Sequence, residues 1–218
     1  MEQIIGIITI TKIEEVEGLN DWLVLDNSSF LEYENRELET TDKGQVKSTT
    51  TNLITVIVNR DFCEKSGLLE GNIFFDICSM TIRFLGTIKG EKRDDCHIRK
   101  WNDHMTNLLG VEIEREFGIK YMKAKMEDAI TYIAHKRSVN LPAMYMKSLS
   151  YDGKDYISKL LPKYLGADDT ALNRWIMEHV LVGMVKRVFI PGSKFDELMV
   201  LTGSQGVGKT SFIEKMAL

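Results

Sequence analysis

Glu197-Leu198-Met199-Val200-Leu201-Thr202-Gly203-Ser204-Gln205-Gly206-Val207-Gly208-Lys209-Thr210-Ser211 is the stretch on which the fold turns. Its first five residues are apolar after the glutamate and predict a buried strand that runs directly into glycines. Gly203 to Thr210 then satisfies G-x-x-x-x-G-K-[ST] at every fixed position, the pattern of a phosphate-binding P-loop (Walker A). The spacing has a chemical reason. Glycines allow successive backbone N–H groups to turn inward around phosphate oxygens without a Cβ in the way. Lys209 is placed to reach the β and γ phosphates, and the Thr210 hydroxyl to complete a Mg²⁺ shell. The helix opening near Lys209 presents free N–H groups to an anion. The expected nucleotide-binding set is Gly203, Ser204, Gln205, Gly206, Val207, Gly208, Lys209, Thr210 and Ser211, with ATP and Mg²⁺ as cofactors and Thr210 as the metal ligand.

Only eight residues follow Thr210. A P-loop ATPase also requires an acidic residue on a second strand and an arginine for the γ-phosphate. The sequence as it stands is therefore expected to be the front part of an ATPase domain, inactive in hydrolysis by itself and with no assigned catalytic residue.

Working outward, Asp168-Asp169-Thr170 opens a long helix over 171–187 whose basic end, Lys186-Arg187, complements the helix dipole. Its middle, Trp175 to Val185, is apolar on most sides and is expected to be buried. Further upstream, Met105, Leu108, Leu109, Ile113 and Phe117 recur at helical spacing between a capping Asp103 and Gly118. Met122, Met126, Ala129, Ile130, Ile133 and Ala134 form a second stripe. Pro142 suits the first turn of a short helix with Tyr145, Met146 and Leu149, and another short helix is expected near Tyr156 to Leu161, before Pro162. These stripes predict a mainly helical lead-in domain over 53–190, with 191–218 as the incomplete start of the P-loop domain. Residues 1–35 read as a small β-rich piece, from Ile4-Ile5-Gly6-Ile7-Ile8 and Trp22-Leu23-Val24-Leu25. The polar run 36–52 reads as a linker. The fold class expected is α+β, mainly α.

Composition bounds the function loosely. The chain has 218 residues, 44% of them hydrophobic, and a net charge of −4, which argues against a basic nucleic-acid surface covering the whole molecule. Cys63, Cys78 and Cys96 are an odd set, widely spaced, and read as reduced thiols. Cys96-His97 with His104 lacks the second close cysteine of a zinc site. The apolar N-terminus is too short to span a bilayer and has no basic leader, so a cytoplasmic, non-membrane protein is expected.

Several stretches then bear on family. Leu149-Ser150-Tyr151-Asp152-Gly153-Lys154, Tyr164-Leu165-Gly166-Ala167-Asp168-Asp169, Val185-Lys186-Arg187 and Pro191-Gly192-Ser193-Lys194-Phe195-Asp196 lead into Leu201 to Gly206. Together they resemble the virulence-associated protein E family of phages, prophages and pathogenicity islands. Trp101-Asn102-Asp103, Glu116-Phe117-Gly118-Ile119, the stretch 52–61 and the extended stretch 71–76 extend the resemblance to about residues 50–218. Tyr151 stands where that family usually has tryptophan. The resemblance implies a superfamily 3 or AAA+-like helicase ATPase, acting on DNA in mobile-element replication as a homo-oligomeric ring. Of the family's ligands it carries over only Gly203, Gly208, Lys209 and Thr210 with the intervening loop. The alternatives are another P-loop machine, such as a helicase loader or packaging motor, and a truncated, non-enzymatic interaction module.

Overall fold

In the computed structural model of the chain, residues 23, 25–34, 36–91 and 97–217 are described. The expected isoleucine strand at the N-terminus lies outside them. The chain divides into two compact units, Val24–Val139 and a second made of Met1–Leu23 with Asn140–Leu218. The architecture is α+β, about half helical, with one small mixed sheet.

Among the described residues the first unit opens on helical turns. A 3-10 turn, Ser28–Phe30, continues into α1, Leu31–Glu34. The expected linker follows, and it is ordered by one side chain. Asn52 is fully buried in α2, Thr50–Val58. Its amide donates to Glu39 O and Lys47 O, both at 2.9 Å, and its Oδ1 accepts from Glu39 N at 2.9 Å. These bonds pin the two sides of a turn closed by the antiparallel bridge between Thr40 and Val46. A buried amide with every group paired converts a polar run that cannot order by apolar burial into part of the fold. Asn59 repeats the device. Its amide holds Tyr33 O and Glu34 O at 2.8 Å, and its Oδ1 caps α3, Arg60–Ser66.

Strands β1, Leu69–Asp76, and β2, Thr81–Ile88, form an antiparallel hairpin. β3, Ile98–Lys100, adds antiparallel to β2, and the two-residue β4, Ser138–Val139, adds parallel to β1, giving the order β3-β2-β1-β4. The hairpin turn is held by Asp76, whose carboxylate accepts from the Cys78 and Ser79 amides at 3.2 Å and from the Ser79 hydroxyl at 2.6 Å. α4, Asp103–Phe117, is capped by Asn102 rather than Asp103, since the Asn102 Oδ1 accepts from Met105 N at 3.1 Å. Gly118 closes it in the left-handed region, as its position predicts. α5, Lys123–Lys136, buries Met126, Ala129, Ile130, Ile133 and Ala134 against α2 and the strands β1 and β2. Met122, by contrast, precedes the helix and is exposed.

Tyr33 gives this core a signature in alkali. The residue is buried, and its hydroxyl is pushed up to about 12, first by burial and then by hydrogen bonding with Tyr132. In the unfolded chain the phenol titrates near 10. The native state therefore holds the proton where the unfolded state has lost it. The stabilisation is complete below about pH 10 and is lost as pH rises towards about 12. Urea midpoints measured across that interval should fall, and Tyr33→Phe should flatten the slope; an equal slope in the variant would assign it to other groups.

In the second unit, α6, Leu141–Ser148, is capped by Asn140, whose amide also donates to Val188 O at 2.6 Å. A 3-10 turn, Ile157–Lys159, leads into α7, Leu160–Leu165, which runs through Pro162 instead of stopping before it. A proline in a first turn lacks only an N–H that has no partner there. α8 spans Ala171–Phe189, with Thr170 accepting from Asn173 N at 3.1 Å as its cap. Its apolar middle is not buried as expected. Only Met177 and Gly183 are buried, while Trp175 and Val182 stay more than half exposed. α9, Lys209–Ala217, completes the described unit. Among the described residues no helix is long and apolar enough to cross a membrane.

Candidate functional site

The loop from Gly203 to Gly208 hangs between an extended lead-in and α9, and both ends are anchored to α7 and α8. On the α9 side, Phe212 and Met216 are buried in a cluster with Leu160, Leu161 and Met177. Ile213, one residue on, faces away and is exposed. The spacing of 212 and 216 is one helical turn, so a nine-residue helix that would fray alone is held by a single apolar face.

The lead-in differs from its sequence reading. Leu198 to Leu201 forms no strand, because among the described residues nothing pairs with its backbone. The side chains nevertheless alternate. Met199 and Leu201 pack on the cluster of α7 and α8, whereas Leu198 and Val200 are 85% and 70% exposed. The period of two is that of a strand without its ladder.

The lead-in is fixed instead by side chains laid along α8. The Phe195 ring sits over Gly183 so closely that a Cβ there would lie 2.1 Å from it. Arg187 donates to Phe195 O at 3.2 Å. His179 stacks between Trp175, at 5.0 Å and 12° between planes, and Phe195, at 5.5 Å. The Glu197 carboxylate lies 3.4 Å from His179 Nε2. Its own backbone N–H, and then the imidazole, hold that carboxyl below the usual range. Gly183 was the missed signal. A glycine inside a helix costs about 1 kcal/mol against alanine, and close packing of a ring is a physical reason to keep it.

Within the loop, Gly203, Gly206 and Gly208 have φ of 144°, 86° and 88°. A Cβ at any of them would meet nothing within 4 Å. Glycine is required here by backbone angle, not by lack of room. The Lys209 ammonium turns back over the loop and donates to Gly203 O at 2.9 Å and Ser204 O at 2.7 Å. Ser204, Gln205, Gly206 and Val207 are exposed, as are Thr210 and Ser211 at the first turn of α9. The site residues read from the sequence thus come together as one continuous surface loop at a helix N-terminus. That arrangement offers a cation, hydroxyls and backbone donors to an anion.

Elsewhere, the described histidines, cysteines and carboxylates form no cluster of three that could hold a metal. The Cys63 thiol donates to Val56 O and Ile57 O at 3.4 and 3.3 Å. Cys78 is exposed, and its thiol is raised by partial burial and by the neighbouring Asp76. Cys96 lies outside the described residues.

No curated protein matches the chain. Residues 146–218, from the end of α6 through the loop and α9, match the family model of the virulence-associated protein E-like domain. The match falls within the second unit and supports, for that part of the chain, the family its sequence resembles.

Proposed function

We propose that the loop from Gly203 to Ser211 binds the triphosphate of ATP, and that the chain serves a DNA-replication ATPase of a mobile genetic element. In this reading Lys209 exchanges its two loop carbonyls for β- and γ-phosphate oxygens, while the backbone N–H groups of the loop and of the first turn of α9 take the remaining oxygens. Thr210 supplies its hydroxyl to Mg²⁺, which neutralises phosphate charge when bound. The rest of the machine, a ring working on DNA, is what the resemblance of the 149–206 stretches implies, and the family match over 146–218 supports the family in which that resemblance lies.

One observation carries the reading. Gly203 and Gly208 fall on a loop with three glycines at positive φ, and Lys209 and Thr210 open the helix that follows it, which is docked by Phe212 and Met216. Affinity is expected to be modest, because among the described residues the lead-in has no ladder to stiffen it. Calorimetric titration of the chain with Mg-ATP should show saturable binding with a Kd of about 0.1–1 mM. AMP, which has no β or γ phosphate, should show none over the same range. Equal binding of AMP and ATP, or no heat with ATP, would remove the reading.

A further inference from the structure

Arg137, in the first unit, is a buried cation that no carboxylate among the described residues balances. It is the residue that ends α5, and its position is fixed by backbone on both sides. Its N–H donates to Ile133 O and Ala134 O, and its carbonyl accepts from Phe75 N. The side chain is 7% exposed. Its Nε donates to Asn27 Oδ1 at 2.7 Å, and the guanidinium carbon sits 4.5 Å from the centre of the Phe30 ring. Among the described residues no carboxylate reaches ion-pair distance of it, and no acceptor is bonded to its terminal nitrogens. Burial pushes this guanidinium down to about 10, so it remains charged at neutral pH. The negative end of α5 offsets part of the cost, since helix C-termini favour cations. The terminal nitrogens are not among the fully buried polar atoms that lack a partner, so they open onto the pocket beside them, where an anion can take their hydrogen bonds.

Arg137 lines a pocket of about 520 Å³, within the size range of small-molecule sites. Phe30, Ile57 and Leu69 give the pocket apolar surface, while Glu34 and Glu70 line it as exposed side chains. The planar fork of an arginine matches a carboxylate with two parallel hydrogen bonds. The apolar residues suit a hydrocarbon or aromatic body. The two glutamates repel a second negative charge, which disfavours phosphate dianions and polyphosphates.

We propose that this pocket is a binding site for a small organic monocarboxylate, with Arg137 as its carboxylate receptor and Phe30, Ile57 and Leu69 as the walls around its apolar body. The site belongs to the first unit and is independent of the loop at 203–211.

The test follows the Arg137 Nε–Hε resonance of the full chain in arginine-labelled protein. Sodium phenylacetate is added in one arm and inorganic phosphate in the other, at matched ionic strength. Phenylacetate should produce a saturable shift below about 20 mM, weakened at least tenfold in a folded Arg137→Gln variant as read by backbone amides around the pocket. Glu70→Gln, an exposed change, should tighten phenylacetate by about two- to fivefold through loss of repulsion. It keeps the test decisive if Arg137→Gln does not fold. No saturation with phenylacetate, tighter saturation with phosphate, unchanged binding in Arg137→Gln, or unchanged or weaker binding in Glu70→Gln would each overturn the assignment.

Discussion

Gly71→Ala should unfold the β-sheet unit, or lower its stability by about 4 kcal/mol or more. Gly71 and Gly86 face each other in the register of β1 and β2, and both have φ of 139°. A Cβ on Gly71 would stand 2.0 Å from Leu85 O and 2.7 Å from Gly86 Cα. A Cβ on Gly86 would stand 1.9 Å from Glu70 O. Those neighbours are backbone, so no rotamer change relieves the clash, and the strands must part at the third pair from the open end of the ladder. The backbone angle adds strain of its own. Against a total stability of about 5–15 kcal/mol for a domain, such a loss is a large share. Gly44→Ala is the control, since φ is 76° there but a Cβ meets nothing within 4 Å. It should cost only about 1 kcal/mol. Urea unfolding followed by far-ultraviolet circular dichroism measures both. Equal midpoints for the two variants would mean the strands tolerate a side chain at their crossing.

Lys209→Ala should weaken Mg-ATP by about 100-fold, close to abolishing it at accessible concentrations. The same substitution should leave thermal unfolding within about 1 kcal/mol of the parent, because the ammonium contacts only two carbonyls of an exposed loop. Lys209→Arg should not restore affinity, since a planar fork cannot occupy a point between those carbonyls as an ammonium does. Titration calorimetry on the three proteins, with melting curves alongside, separates lost binding from lost folding. An alanine variant that binds Mg-ATP like the parent would sink the role given to this lysine.

Most helices were legible because their cores repeat at helical spacing and their ends carry capping residues. Asn102 displaced Asp103 as cap by a single position, a distinction that composition cannot make when Asn and Asp are adjacent. The sheet was not legible as a sheet. β1 buries both Ile73 and Phe74 in succession and carries Gly71 within it, so no clean alternation marks it. Its turn, Ile77 to Met80, has no glycine, proline or asparagine, and is closed by the Asp76 side chain instead. The ordering of 36–52 was hidden for a related reason. It rests on the buried amide of Asn52, one polar letter at the edge of an apolar run. The loop itself could be read residue by residue, since its glycines answer to local backbone angles. The lead-in could not, because a strand is a property of two segments, and among the described residues none pairs with 198–201.

The shortness of β4 has a consequence for how the first unit assembles. Only Phe75–Ser138 and Asp76–Val139 pair across that edge, joining segments separated by the whole of β2, β3, α4 and α5. Closing so long a span loses much chain entropy before any contact is gained. Two residue pairs return little, so β4 joins after the hairpin and its helices have condensed. An interaction absent from the transition state governs the lifetime of the native form rather than its rate of formation. The edge at Ser138–Val139 is therefore expected to behave as a latch, closed last and opened first, and amide exchange at Ile77, whose N–H is held by Val139 O, would be the fastest in the sheet.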